Sequence, residues 1–311
     1  MENLTLLGRT PDKSFVSILI PTRTRPDSRI EQTIHNCIVT ASKPADLEFL
    51  IKVDHDDEQA LKLSQSIAEK YNSSRFLIHV TQRGNGYLDI PRYMNELAER
   101  ATGDWLWLLG DNAWPTSQDW DLAIEQWFPP LATYLGCQDV CLFSPLLTME
   151  GGFKIPISPT PFVRRKLYEV LGHLTMLPCW DMWLNSVAFM SGILMTVPIT
   201  MEHVPAGSRT DLDEEIIQRI NGKRFLIETR RAMVEDAGKI VDYLENYEKR
   251  VYWSSLPEQQ GLHFWRSPLG FLMLVLIDDK GKVWMSEEQR RHFIPGGSWC
   301  CVNSHGELIN K

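Results

Sequence analysis

Short apolar runs rich in β-branched and aromatic residues alternate with segments of helical period through the first part of the chain. Residues 15–20 (FVSILI) stop at Pro21 and read as a buried strand. Residues 29–40 place Ile30, Ile34, Cys37 and Ile38 on one face and end before Pro44, a helix. Residues 47–53 (LEFLIKV) form a second strand that runs into Asp54-His-Asp-Asp57, and 58–71 an amphipathic helix. A third strand, 76–80 (FLIHV), leads into Arg83-Gly-Asn-Gly86 and a helix at 90–101. A fourth, 105–109 (WLWLL), ends at Gly110-Asp-Asn112. This order predicts an α/β domain with a mostly parallel sheet flanked by helices. Ligands of such sheets collect beyond the carboxyl ends of the strands. Those ends carry Pro21-Thr22-Arg23, Asp54 to Asp57, Arg83 to Gly86 and Gly110 to Asn112. Either they line one crevice, or they are polar because loops are wet.

Further on, a turn and helix start occupy 114–121, and a strand 140–143. The pattern at 162–171 (FVRRKLYEVL) predicts a helix stopped by Gly172, a good left-handed cap. Residues 181–190 read as helix and 192–199 as strand, followed by Met201-Glu-His203. Beyond about Lys223 the character changes to a charge-rich helical pattern at 225–249. Then 271–277 and 283–285 flank Asp278-Asp279-Lys-Gly281 as a hairpin, and a second turn falls at 303–306. The expected division is a domain over 1–225 and a small α+β appendage over 226–311, the latter also readable as an arm through which the chain oligomerises.

Composition narrows the classes. The chain has 311 residues, 43% hydrophobic, with a formal net charge of -8, so no broadly basic nucleic-acid surface is indicated. Its six cysteines (37, 137, 141, 179, 300 and 301) form no CxxC pair, which predicts free thiols in a reducing compartment. The first residues lack the basic and apolar regions of a signal peptide. The longest apolar stretch, 182–198, is broken by Asn185 and Ser191 and is too short to span a bilayer. A soluble, cytoplasmic protein with no membrane partner is expected.

The motifs in order then carry a resemblance. Val16-Ser-Ile-Leu-Ile-Pro-Thr-Arg23, Val53-Asp-His-Asp-Asp57, Arg83-Gly-Asn-Gly-Tyr87, Asn95 and Ala101-Thr-Gly-Asp-Trp-Leu-Trp-Leu-Leu-Gly-Asp-Asn112 resemble the nucleotide-sugar-binding half of a family 2-like glycosyltransferase of GT-A fold. Phe162-Val-Arg-Arg165 with Leu171-Gly172 resembles that family's arginine-led helix. Trp180-Asp181-Met-Trp183 stands at its Glu-Asp position, and Met201-Glu-His203 at its late histidine. The resemblance covers roughly residues 14–225 and is closest in flavour to small soluble proteins of bacteria and their phages. It implies a Rossmann-like nucleotide-sugar-binding sheet, a UDP- or GDP-type sugar donor and a Mn²⁺ or Mg²⁺ ion. The chain departs from the pattern at the DxD position, which reads Gly110-Asp111-Asn112, and at Trp180, where the family has Glu.

The resemblance assigns Asp111, Asn112 and His203 to the metal, since oxygen donors suit Mg²⁺ or Mn²⁺ and an imidazole tilts the choice toward Mn²⁺. Strand-end turn chemistry is the plain alternative for Asp111-Asn112, and strand closure for His203. Asp181 is the candidate general base; its apolar neighbours would raise its pKa, though Asp also caps helices. Trp180 and Trp183 read as an acceptor-side stacking wall or as core. Asp54 or Asp56 would take a nucleobase N–H, with Pro21, Thr22 and Arg23 lining that pocket, Gly86 in the following loop and Arg83 reaching the phosphates. Arg25 and Arg29 read as exposed surface charges. Three functions compete: a metal-dependent inverting glycosyltransferase acting on an acceptor hydroxyl, a non-catalytic nucleotide-sugar-binding protein on a decayed scaffold, and a glycosyltransferase for hydroxymethylated bases of phage DNA.

Overall fold

A computed structural model describes residues 3–8, 14–25, 28–135, 139–148, 154–155, 159–204, 223–251, 261–266, 272–277, 283–284, 298–302 and 308–310. The first elements are β1 (Asn3–Gly8), β2 (Val16–Pro21), α1 (Ile30–Val39), β3 (Leu47–Asp54), α2 (Glu58–Lys70), β4 (Arg75–Thr81), α3 (Ile90–Arg100) and β5 (Trp105–Leu108). Strands β2 to β5 sit where the apolar runs predict them. They pair in parallel in the order β4-β3-β2-β5. The chain leaves β2 toward β3 on one side and returns after β4 to lay β5 on the other. The loops after β2 and β5 therefore part at this point, the place where a doubly wound sheet opens a crevice.

The sheet is buried on both faces, and every position of β3 is buried, including the charged Glu48, Lys52 and Asp54. One core joins Val16, Ile18, Phe49, Ile51, Phe76 and Ile78 to Ile34 and Cys37 of α1 and Ile67 of α2. The other joins Leu19, Leu50, Leu77 and Leu106 to Met94 and Leu97 of α3.

The remaining elements are β6 (Ala113–Pro115), α4 (Trp120–Leu135), β7 (Leu142–Thr148), β8 (Lys154–Ile155), β9 (Phe162–Arg164), α5 (Arg165–Leu171), α6 (Trp180–Met190), β10 (Leu194–His203), α7 (Lys223–Val251), β11 (Gly261–Arg266), β12 (Leu272–Ile277), β13 (Val283–Trp284), β14 (Ser298–Val302) and β15 (Leu308–Asn310). The first sheet has ten strands in the order β1-β4-β3-β2-β5-β9-β7-β10-β6, with β8 on β7. It is mixed rather than mostly parallel: β1-β4, β5-β9, β7-β9, β7-β8 and β10-β6 are antiparallel, and β7-β10 is parallel. Much of this departure follows from β9. Phe162 enters one core and Val163 the other, a period of two hidden at the head of a helical pattern. The helix is only the seven-residue α5, and Gly172 closes it at φ 79° as the sequence predicts.

Met233, Ala237 and Ile240 of α7 bury into the second core, so this helix, beyond the boundary expected at 225, covers α5 and α6. Strands β13-β12-β11-β14-β15 form a separate antiparallel sheet. It contains the expected β12-β13 hairpin; the turns at 278–281 and 303–306 lie outside the described residues. Cys37, Cys141 and Cys179 are free thiols. No helix among the described residues is long and apolar enough to cross a membrane.

A buried carboxylate ties the start of β5 to the sheet. Glu48, with no exposed surface, accepts from Ser17 Oγ (2.5 Å), Thr102 N (2.8 Å) and Thr102 Oγ1 (3.1 Å), and pairs with Arg75 Nη1 at 3.0 Å. Ser17 Oγ in turn accepts from Gly103 N at 2.7 Å. The backbones approach so closely that a Cβ at 103 would stand 2.6 Å from Ser17 N and 2.9 Å from the Val16 carbonyl carbon. Gly103→Ala is therefore expected to lower unfolding stability by about 1–3 kcal/mol in chemical denaturation. An unchanged midpoint and slope would show that this packing yields freely.

Candidate functional site

The ladder of β5 runs one residue past its end, with Leu109 N donating to Leu19 O at 3.1 Å, and the chain then turns at Gly110-Asp111-Asn112 into β6. Asp111 is 4% exposed. A carboxylate so buried needs partners, and the loop after β2 supplies them. Thr22 Oγ1 donates to Asp111 Oδ2 at 2.9 Å, Ser28 Oγ to the same oxygen at 3.2 Å, and Arg25 Nη2 to Oδ1. The backbone adds Arg29 N to Asp111 O at 3.1 Å. Arg29 is exposed as the sequence suggests, but Arg25 is not a free surface charge: it is largely buried and ion-paired to Asp111. Sequence reasoning missed it because the partner lies 86 positions away.

Asn112 closes the other side of the turn. Its Nδ2 donates to Val204 O at 2.6 Å, and Val204 N donates to Asn112 O at 3.0 Å. With His203 opposite Ala113 in the antiparallel β10-β6 register, the end of β10 lies against the DxD position. Asp181, in the first turn of α6, faces the same region. Burial pushes its carboxyl above the usual range, against the pull of the Met182 and Asp181 backbone N–H groups and of His203. Burial holds the His203 imidazole below its usual value, with Asp181 opposing. Asp181 is not the helix cap; Cys179 holds that position without a side-chain bond.

The segment leading to Asp181 is braced from α3. Asn95 Nδ2 donates to Thr175 O (3.0 Å) and its Oδ1 accepts from Leu174 N (2.6 Å). Tyr87 Oη lies 3.2 Å from Cys179 Sγ. Trp183, at 1% exposure, is a core residue beside His173 and is thereby removed from any acceptor wall. Trp180 is half-buried, with Nε1 bonded to Pro159 O at 2.6 Å.

At the end of β3, Asp54 is buried beside Lys52 Nζ, and the ammonium sits 3.4 Å above the centre of the Tyr93 ring. Arg83 holds Asp56 through Nε at 2.8 and 3.0 Å and reaches Asp54 Oδ2 at 3.6 Å. That contact keeps the Asp56 carboxyl below its usual range. Arg83 thus stands with the acids rather than apart from them. Asp57 caps α2 through Ala60 N and binds Thr24 N and Oγ1, fixing the loop after β2. Gly86 has φ 61°, and a Cβ there would lie 3.9 Å from Arg23 Nη1. Pro21 ends β2 half-buried. Thr22, Arg23, Thr24, Arg25, Ser28 and Gln59 line an open cleft.

Of the expected metal ligands, Asp111 and Asn112 are engaged by other groups of the chain. One oxygen of Asp111 faces a guanidinium and the other takes two hydroxyls. Asn112 offers no charge, and its Nδ2 donates to Val204 O. Among the described residues no three His, Cys, Asp or Glu side chains gather closely enough to hold an ion.

No protein-family profile matches the chain, and no curated protein matches it by sequence. Among solved structures, it is similar to S. aureus TarS 1-349 in complex with UDP, at 11% identity over 78% of this chain and 73% of that one, with a TM-score of 0.49. It is also similar to the mannosyltransferase PcManGT from Pyrobaculum calidifontis in complex with GDP-Man and Mn²⁺, at 16% identity over 76% and 70% of the two chains, again with a TM-score of 0.49.

The raised pKa of Asp181 has a stability consequence. Its neutral form is favoured in the fold, so the stability it contributes is complete below the unfolded value of about 3.9 and is lost as pH rises through the folded value. Asn does not titrate. Asp181→Asn should therefore melt above the wild type at about pH 8, with the gap closing as pH falls toward about 4. A gap independent of pH would contradict the burial of this carboxyl.

Proposed function

We propose that this chain is an inverting glycosyltransferase that moves a sugar from a nucleoside-diphosphate donor to an acceptor hydroxyl. The observation that carries the reading is the meeting of three strand ends: the loop after β2 and the turn after β5 share Asp111, and the end of β10 brings His203 to that turn and to Asp181. This is the crevice of a parallel sheet in which dinucleotide-like ligands lie, and its residues are those of the motif order that resembles family 2-like enzymes.

In this reading the nucleobase lies at the end of β3, where Asp54 accepts its N–H and Pro21, Thr22 and Arg23 form the wall. The diphosphate lies along the cleft after β2, between Arg23 and Arg25 on one side and Gly86 and Arg83 on the other. Asp181 takes the proton from the acceptor hydroxyl as that oxygen attacks the anomeric carbon from the face opposite the leaving diphosphate. One direct displacement inverts the configuration. A carboxylate held above its usual pKa is the stronger base, and its ionised fraction still rises toward neutral pH. Trp180 lies on the acceptor side, one residue before the base. The Mn²⁺ or Mg²⁺ implied by the resemblance finds a single carboxylate here, and no step of the reading depends on it.

The experiment is a panel of UDP- and GDP-sugars scored for thermal stabilisation and for release of the nucleoside diphosphate. Ligand binding raises apparent stability by mass action. Asp181→Asn should keep the stabilisation and lose about 10²–10⁴-fold in turnover, the usual worth of a general base. Wild-type binding without any turnover would favour a non-catalytic nucleotide-sugar-binding protein. Undiminished turnover by Asp181→Asn would remove Asp181 from the chemistry.

A further inference from the structure

We infer that the positive charge facing the donor diphosphate is a guanidinium pair built into the chain, Arg25 anchored on Asp111 with Arg23 beside it, and that donor binding requires no divalent ion. The inference rests on the nucleotide-sugar reading and deepens it by assigning the counter-charge of that site.

Four features of the turn after β5 point the same way. The position where a metal-binding turn would carry its first acid is Gly110, and the last is Asn112. An amide oxygen brings no charge to a cation, and the Asn112 side chain is already fixed by its Nδ2 donating to Val204 O at 2.6 Å. The remaining acid, Asp111, is not waiting for a cation: the Arg25 guanidinium occupies one carboxylate oxygen, and Thr22 and Ser28 the other at 2.9 and 3.2 Å. A metal ion would have to displace the arginine and strip two hydroxyls from a buried carboxylate, and among the described residues no cluster of acids stands ready to compensate.

The same contacts show what the arginine is placed to do. Asp57, through Thr24, and Asp111, through Thr22 and Ser28, pin both ends of the loop that carries Arg23 and Arg25. Its residues line a cleft open to solvent. A guanidinium presents five N–H donors in a planar fork, so one anchored on a carboxylate can still grip a phosphate oxygen, and phosphate is a ligand that this fork fits. Thr22, Thr24 and Ser28 line the same cleft. In this arrangement Asp111 orients the cation; it does not ligate one.

The test is isothermal titration of the full chain with UDP and with GDP, each in EDTA and in Mn²⁺. The wild type should bind its nucleotide equally well in both. Arg25→Gln should weaken binding by about tenfold or more in both buffers, the usual worth of a charge-assisted bond. Because that change strands the Asp111 carboxylate, Arg25→Gln/Asp111→Asn serves as the charge-neutral control. It should show the same loss with a melting temperature near the wild type's, and Arg25→Lys should recover part of it. Binding that vanishes in EDTA and returns with Mn²⁺ would overturn the inference while leaving the nucleotide-sugar reading intact. So would Arg25 variants that bind as the wild type does. Failure of both nucleotides in both buffers would bring down the nucleotide-sugar reading, and the inference with it.

Discussion

Everything at this site depends on one buried carboxylate finding its charge. Asp111 comes to rest at 4% exposure because β5, apolar throughout, drives it to the edge of a sheet covered on both faces. Burial without a partner would cost several kcal/mol. The loop after β2 meets that demand with Arg25, Thr22 and Ser28, and in doing so acquires its own conformation. The two loops are thus one object: the turn after β5 gives the arginine loop its shape, and the arginine loop gives the turn its neutrality.

The rest of the sheet brings those loops into range. The order β4-β3-β2-β5 sets β2 and β5 side by side while their continuations diverge. The register is held at the opposite end of these strands, where Glu48 gathers Ser17, Arg75 and Thr102 and where Gly103 lets two backbones touch. A second brace runs from Asn95 on α3 to the segment before α6, so that Asp181 is placed by a helix and not by a loose loop. Asp181 and His203 attract one another in a half-buried setting, but burial outweighs that attraction and displaces each from its usual pKa in the direction that favours its neutral form.

The parallel half of the fold was legible because β2 to β5 are short, predominantly apolar runs separated by polar turns and helical patterns, as burial on both faces favours. The antiparallel half was not. β9 has three residues and merges into a helical pattern, β6 is equally short, and β1 has no periodicity strong enough to mark an edge strand. The site divides in the same way. The places of Asp111, Asn112 and His203 at strand ends were legible, since a strand end is a local property. Their partners were not: Arg25 to Asp111, Asn112 to Val204 and Asn95 to Thr175 are contacts across 80 or more positions, and nothing in a local pattern shows whether an arginine faces water or a buried acid. Trp183 illustrates the converse, an aromatic near a candidate base whose full burial only the packing reveals.

The claim that Asp111 works through Arg25 is tested most directly by a crystal structure of the protein with a nucleoside diphosphate, grown with Mn²⁺ present. The account predicts the diphosphate in the cleft after β2, its oxygens on the Arg25 guanidinium, with the Arg25–Asp111 pair intact behind it. A manganese ion bridging Asp111 and the diphosphate, with Arg25 swung away, would contradict it.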